Sequence, residues 1–180
     1  MDTMEIIAQV IGGVALLMAI ISFQNNTKKG ILTFQLLAGC LFAVHFLFLG
    51  AYTGAALNVV SVIRNIVYYQ KQKHTWARHK GWLFLFMAVS IAAGILTWED
   101  IFSLFPILGM VLGSLGFWLD NPTYVRRVTF PVSPLWITYN IVKGSYAGII
   151  TEIFVMSSII VGMIRFDRQK KENAEAKVLN

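Results

Sequence analysis

One short turn sequence occurs twice in this 180-residue chain. Residues 50–54 read GAYTG and residues 144–148 read GSYAG, 94 positions later, and each turn joins two long apolar runs. Turns repeated between matching apolar runs indicate internal duplication, and many solute carriers bind their solute between two such copies. The repeat therefore predicts a duplicated membrane protein. The alternative interpretation is a convenient tight connection between helices, with a tyrosine at the membrane interface.

The composition is that of a bilayer protein. Hydrophobic residues make up 57% of the chain and charged residues only 13%, whereas soluble domains have about 25% charged residues. No small-residue cleavage site follows the first apolar run, so this run is predicted to be a retained helix and not a removable secretory signal. Cys40 lies within an apolar run and has no disulfide partner in the chain, which predicts a packing role.

Apolar runs of suitable length predict seven membrane-spanning helices. A helix of about 20 residues crosses about 30 Å of hydrocarbon. The third and sixth runs are the shortest. The predicted spans are 5–24, 31–50, 55–70, 82–98, 101–119, 128–143 and 149–166.

Basic residues are concentrated in alternate connections between the predicted spans. They lie at 28–29, within 71–80 and at 126–127, and more follow the last span. Because cytoplasmic loops carry the excess of Lys and Arg, the N-terminus is predicted to lie outside and the C-terminus in the cytoplasm. The net charge of +6 is thus explained by topology and by contact of the 167–180 tail with anionic membrane lipids. It does not predict nucleic-acid binding.

The span count predicts a single all-α membrane domain in a 3+1+3 arrangement. Residues 5–70 form the first three-helix repeat, residues 101–166 form the second, and helix 82–98 links them. Because three is an odd number, a direct junction would invert the second copy, and the linker helix restores the parallel orientation. Parallel repeats of this kind are related by an axis along the membrane normal, as in the sugar carriers called SWEETs.

The stretch from Ile21 to Tyr69 carries a family resemblance. It resembles the bacterial inner-membrane proteins of the YgjV type, a family that is similar to the group containing SWEETs, PQ-loop transporters and PnuC vitamin carriers. The resemblance implies a multi-pass protein of the bacterial inner membrane with a transporter fold. The residues that carry it are Ser22-Phe23-Gln24, Lys28-Lys29, His45-Phe46, residues 49–54, Asn58 and Ile63-Arg64-Asn65.

The resemblance also implies roles for particular residues. SWEET-like carriers have a substrate-facing asparagine on the third helix of each repeat, which corresponds to Asn58 in the first copy. The second copy has Glu152 at the matching position, a departure that argues against a sugar substrate. Those carriers use prolines as hinges, and Pro106, Pro131 and Pro134 are the corresponding candidates in this chain.

Several polar residues are predicted to share one depth in the membrane, roughly 6–8 Å below the outer boundary at about 1.5 Å per residue. An unpaired carboxylate in hydrocarbon costs about 2.5 kcal/mol or more, so the glutamate is predicted to face the bundle interior and to recognise charge or carry a proton. The others are candidates for solute hydrogen bonding or simply for bonds between helices. These residues are His45, Asn58, Tyr139, Asn140 and Glu152.

Two further residues complete the candidate substrate site. Arg64 lies about six residues deeper than Glu152, or roughly 9 Å along the axis, where it could form a salt bridge with Glu152 or extend towards the cytoplasmic surface. Trp136 is near the middle of the sixth span, where its indole could stack on a solute or fill the core.

The sequence contains no motif for catalysis or cofactor binding. It has no histidine pair at metal-ligand spacing within a span, no phosphate-binding glycine loop and no activated nucleophile. We therefore expect a non-enzymatic carrier of a small polar solute, without metal or cofactor. The alternative is a membrane receptor or assembly factor that binds a peptide, lipid or protein. The GMVLG segment at 109–113 fits a helix-packing motif and makes a homo-oligomer conceivable.

Overall fold

The computed structural model describes residues 3–24, 28–71 and 73–167, and the regular structure in these ranges is helical. Except for its first residue, the predicted 167–180 tail lies outside the described residues. Short 3₁₀ turns at Trp76–Arg78 and Ile101–Ser103 precede two of the helices, and a π-helical turn follows the last. The α-helices are α1 (Thr3–Gln24), α2 (Lys28–Phe48), α3 (Tyr52–Gln70), α4 (Gly81–Leu96), α5 (Leu104–Trp118), α6 (Pro122–Thr129), α7 (Val132–Val142) and α8 (Tyr146–Gly162).

The two repeated turns have the same local structure. Gly50 and Gly144 have φ angles of 68° and 66°, in the left-handed region that favours glycine after a helix. The next amide, of Ala51 or Ser145, donates to the carbonyl five residues earlier at 2.8 and 2.9 Å respectively. This is the long hydrogen bond of a Schellman motif. The same cap therefore ends α2 and α7, and the tyrosine of each turn begins the next helix.

Three helical stretches in the described part of the chain are long and apolar enough to cross a membrane. They are Thr3–Ile21, Ile101–Trp118 and Tyr146–Arg165. Thr33–Phe48 and Gly81–Leu96 form shorter apolar helices. Large apolar side chains also cover the outer surface, such as Leu96, which is 85% exposed. An apolar exterior of this extent is expected where lipid, and not water, surrounds the protein.

The prediction of one helix over 128–143 is wrong. α6 ends at Thr129 and α7 begins at Val132 with only 11 residues, a length of roughly 16 Å. Pro131 precedes α7 and has no backbone N–H, so it cannot extend the hydrogen-bond ladder of α6. α6 starts further upstream than predicted, at Pro122.

The other two predicted hinge prolines lie in the first turns of helices. Pro106 follows the start of α5 at Leu104, and Pro134 follows the start of α7 at Val132. The first-turn N–H groups of a helix have no intrahelical acceptor, so proline is tolerated there without a kink. Of the three prolines, Pro131 alone coincides with a break in a helix.

The helices pack in two groups with matching internal contacts. The first group, called the first triplet, consists of α1, α2 and α3, and the second triplet consists of α5, α7 and α8. In the first triplet α2 packs against both α1 and α3, and in the second α7 packs against both α5 and α8. The first helix of each triplet contacts the last helix of the other, so that α1 packs on α8 and α5 packs on α3. α4 packs against α3 and α5. Aromatic side chains of the two middle helices meet at the centre, where the Phe46 ring centroid lies 6.0 Å from those of Trp136 and Tyr139.

Candidate solute-binding cavity

A cavity of about 530 Å³ lies between α2 and α3 of the first triplet and α5, α7 and α8 of the second, with the short helix α6 also in its wall. Four of the predicted site residues line it: Asn58 and Arg64 on α3, Trp136 on α7 and Glu152 on α8. The volume falls within the range of about 300–1,000 Å³ that is typical of small-molecule sites. Folding thus brings together polar groups that are up to 94 residues apart in the chain.

The cavity extends from the depth of Asn58 towards one end of the bundle. Phe117, Arg126 and Gly162 also line it, and they lie near the ends of α5, α6 and α8. The basic residues of the 71–80 connection follow α3 at this same end. The cavity is therefore continuous with the helix ends that carry the loop cations.

Glu152 faces the cavity from α8. Its residue surface is half-buried. The Ser133 hydroxyl, on α7, donates a hydrogen bond to this carboxylate. Among the described residues no cation lies within salt-bridge distance of Glu152. The predicted salt bridge between Glu152 and Arg64 is therefore not formed.

Arg64 is 3% exposed and its partners are uncharged. Nη1 donates to Ser114 Oγ at 3.1 Å, while Nη2 and Nε donate to Asn65 Oδ1 at 3.1 and 3.3 Å. The guanidinium carbon lies 5.3 Å from the centroid of the Phe117 ring. Arg64 is held against α5, so it does not extend to the membrane surface.

The predicted helix-packing glycines of α5 create room inside the chain. A Cβ at Gly113 would lie 3.5 Å from Arg64 Nη1, and a Cβ at Gly109 would lie 2.9 Å from Trp136 Nε1. Both glycines are buried. The lack of a side chain at Gly109 therefore admits the Trp136 indole, whereas a Cβ at Gly113 would make only an ordinary contact with Arg64. This motif faces the interior of the chain.

A smaller pocket of about 70 Å³ shares part of the cavity wall, with Asn58, Trp136 and Glu152 lining both. Asn140 lines only the small pocket and is 1% exposed. Its Oδ1 has no hydrogen-bond partner among the described residues. Asn58 Nδ2 donates to the Gly54 carbonyl at 2.9 Å, which leaves its own Oδ1 as an acceptor on the wall.

His45 and Tyr139 line neither cavity. Both are fully buried, and each is bonded to the opposite repeated turn. His45 Nε2 is 2.7 Å from Ser145 Oγ in the second turn, and Tyr139 Oη accepts from the Gly54 amide in the first turn at 2.9 Å. His45 Nδ1 is also 2.6 Å from the Ala8 carbonyl. The structure thus places these two residues in cross-links between the triplets.

An ion-pair cluster, which the sequence interpretation missed, lies beside the first turn. Lys143 Nζ is 2.6 Å from Glu99 and 2.8 Å from Asp100, and Glu99 Oε1 accepts from the Thr53 amide at 2.9 Å. The cluster joins the α4–α5 connection to the ends of α7 and α3. The sequence did contain a signal for this cluster. Lys143 lies next to one repeated turn, and a Glu-Asp pair lies in another connection that is predicted to be at the same membrane face.

The cluster shifts the pKa values of two of its members. The hydrogen bond from Lys143, with further bonds from the backbone, lowers the pKa of Asp100 below its ordinary value. Burial opposes the charged form of Lys143, but the hydrogen bonds and charges of Asp100 and Glu99 outweigh it and raise the pKa of Lys143. Asp100 and Lys143 therefore stay ionised near neutral pH.

Other cavity residues were not singled out from the sequence. Ser61 lies between Asn58 and Arg64 on one face of α3, and the i, i+3 spacing of the three was a usable signal. Ser133 and Arg126 had no such signal, because their place depends on the break between α6 and α7. In the described ranges no group of three or more His, Cys, Asp and Glu side chains could hold a metal ion.

Comparison with known proteins places the chain in a family. No solved structure matches it. The chain is 21% identical to the inner membrane protein YgjV of Escherichia coli (strain K12) over 169 residues, which cover 94% of this chain and 89% of that protein. The family model Imp-YgjV, described as bacterial inner membrane protein, matches residues 6–170. The chain therefore belongs to the YgjV family of bacterial inner membrane proteins.

Proposed function

We propose that this protein is an alternating-access carrier of a small polar solute across the bacterial inner membrane. The observation that carries the proposal is the cavity of about 530 Å³ between the two triplets. Its wall contains hydrogen-bonding groups, an aromatic platform and charges of both signs. In a bundle surrounded by lipid, ionisable groups in an interior cavity mark a solute or ion pathway.

Matching positions of the two triplets support a parallel 3+1+3 architecture with seven crossings. Asn58, Ser61 and Arg64 of α3 line the cavity, and so do the residues 94 positions later on α8. The contacts of α1 with α8 and of α5 with α3 are those expected for an axis that exchanges the triplets. The reciprocal bonds of His45 and Tyr139 to the opposite turns fit the same axis. A repeated turn sequence that served only as a tight connection between helices would explain none of these correspondences.

The structure corresponds to an inward-facing state in this proposal. The cavity reaches the helix ends next to the loop cations, which mark the cytoplasmic side. At the other end, the His45 and Tyr139 bonds join the triplets. The Thr53 amide of the first triplet also donates to Glu99, which Lys143 of the second triplet holds by an ion pair. Rocking of one triplet against the other would break these contacts and open the cavity outwards, the motion common to carriers built from repeats.

A transport assay tests the proposal directly. The protein is reconstituted in liposomes and screened for uptake of small polar solutes, with Glu152→Gln compared with the wild type. Glu5→Gln, at an exposed position outside the cavity, serves as the matched control. We expect protein-dependent uptake that Glu152→Gln reduces and Glu5→Gln leaves unchanged. Absence of uptake across solutes of every charge class would refute the carrier function.

Cysteine accessibility distinguishes a carrier from a receptor that binds without translocation. The chain contains one cysteine, so Cys40→Ser gives a background without thiols, into which Ser61→Cys places one thiol in the cavity. A carrier exposes this thiol to a membrane-impermeant reagent from both faces. Labelling from one face only, together with a stable stoichiometric partner in a pull-down, would favour the receptor.

A further inference from the structure

The cavity contains two opposite charges that the described part of the protein leaves uncompensated. Arg64 is bonded only to neutral groups, and Glu152 is bonded to the Ser133 hydroxyl. The two side chains share one cavity but form no salt bridge. A buried ion is costly unless an opposite charge accompanies it, so each of these groups favours an oppositely charged ligand group.

The positions of the two charges constrain the ligand. Glu152 lies at the deep end of the cavity, where the wall is shared with the small pocket. Asn58 lines the same shared wall. Arg64 is six residues further along α3 than Asn58, a separation of roughly 9 Å along the helix axis. Side chains that are largely apolar lie between and around them, including Trp136, Met110 and Phe117. The wall is thus anionic at one depth and cationic at another, with apolar side chains and Ser61 between them, and Arg126 adds a second cation.

We propose that the solute is an elongated zwitterion, such as a short peptide or an ω-amino acid. Its ammonium group binds Glu152, its carboxylate binds Arg64, and its apolar segment packs against Trp136. This inference rests on the proposed carrier function, but binding can be tested on its own. A planar guanidinium suits a carboxylate because it donates two parallel hydrogen bonds. A solute with one charge would leave the other protein charge uncompensated.

A panel of blocked ligands tests the inference by calorimetry on the protein in lipid nanodiscs. The probes are alanylphenylalanine and 6-aminohexanoic acid, each also as the N-acetyl derivative, the C-terminal amide and the doubly blocked form. Each blocked form lacks one or both charges but keeps the apolar segment. Because a hydrogen-bonded charge contributes strongly to affinity, we expect at least one zwitterion to bind roughly tenfold or more tighter than its blocked forms.

Variants assign the two ends of the ligand. Arg64→Gln is expected to lower the affinity for the zwitterion to that of its amide, and Glu152→Gln to that of its N-acetyl form. Arg127→Gln, at an exposed position away from the cavity, is the matched control and should change neither. Arg64→Lys keeps the charge but not the two parallel hydrogen bonds, so its affinity for the zwitterion should fall between those of the wild type and Arg64→Gln. The wild-type panel decides the question even if a variant fails to fold.

The outcomes separate this inference from the carrier function. Equal affinity for zwitterionic and blocked forms of both scaffolds, or no binding of any of them, would overturn the zwitterion. Uptake of an uncharged solute alongside that result would leave the carrier function standing. Binding of a zwitterion without uptake would support the inference while counting against transport.

Discussion

Removing the Lys143 ion pairs should favour opening of the cavity towards the outer face, because these pairs hold Glu99, the acceptor for the Thr53 amide of the first triplet. Lys143→Met keeps most of the apolar stem of the side chain but removes the bonds to Glu99 and Asp100 at 2.6 and 2.8 Å. The side chains of Lys143, Glu99 and Asp100 are 14%, 19% and 38% exposed. The loss should therefore lie between that of an exposed ion pair, about 0.2–1 kcal/mol, and that of buried charged hydrogen bonds, about 1.5–3 kcal/mol each.

A value of about 1.4 kcal/mol corresponds to a tenfold change in an equilibrium. If these bonds exist only in the inward-facing state, Lys143→Met raises the outward-facing population roughly tenfold. Labelling of the Ser61→Cys thiol from the outer face should accelerate by the same factor while that population remains minor. Lys71→Met is the matched control, because Lys71 pairs with Asp120 at 2.9 Å at the other end of the bundle.

A loss of thermal stability in Lys143→Met without faster labelling from outside would contradict a role of these ion pairs in closing the cavity. The ion pairs would then stabilise both states equally and would have no part in closing the cavity. Faster outer labelling in Lys71→Met as well would show that the effect is not specific to the outer cluster.

The same cluster predicts a pH dependence. Because the folded protein lowers the pKa of Asp100, its stabilising contribution is complete above the unfolded value of about 3.9 and is lost as the pH falls through the folded value. Wild type should thus unfold at a higher temperature than Asp100→Asn at pH 7, and the difference should shrink below about pH 4. A difference independent of pH would show that the Asp100 charge contributes nothing.

Two further substitutions test the buried contacts. Tyr139→Phe leaves the buried Gly54 amide without its 2.9 Å acceptor and should lower the free energy of unfolding by about 1–3 kcal/mol in a denaturation assay; an unchanged value would mean that this cross-link is not needed. Gly109→Ala would place a Cβ 2.9 Å from Trp136 Nε1, whereas nothing lies within 4 Å of the Cβ position of Gly13. Gly109→Ala should therefore displace the indole and reduce solute binding, and Gly13→Ala should preserve both binding and stability; equal effects of the two would contradict the assigned packing.

Local features of this chain could be predicted from the sequence because they depend on nearby residues. The apolar runs predict most of the helices, since a backbone surrounded by lipid must form its hydrogen bonds within its own helix, whichever helices pack beside it. Gly50 and Gly144 predict two equivalent helix ends because few other residues tolerate a positive φ. Glu152 was identified because a carboxylate in an apolar run needs an interior position.

Which polar residues share the cavity depends on helix packing. Depth along a helix is readable from the sequence, but the direction of each side chain depends on how the helices rotate and break. His45 and Tyr139 share a predicted depth with Glu152, yet they bond to the opposite turns. Arg64 is bonded to Ser114 of α5 and not to Glu152, because helix packing directs its guanidinium towards α5. Apolar patterning determined that the chain folds into helices in a membrane, and helix packing determined which of its polar and charged side chains face the cavity.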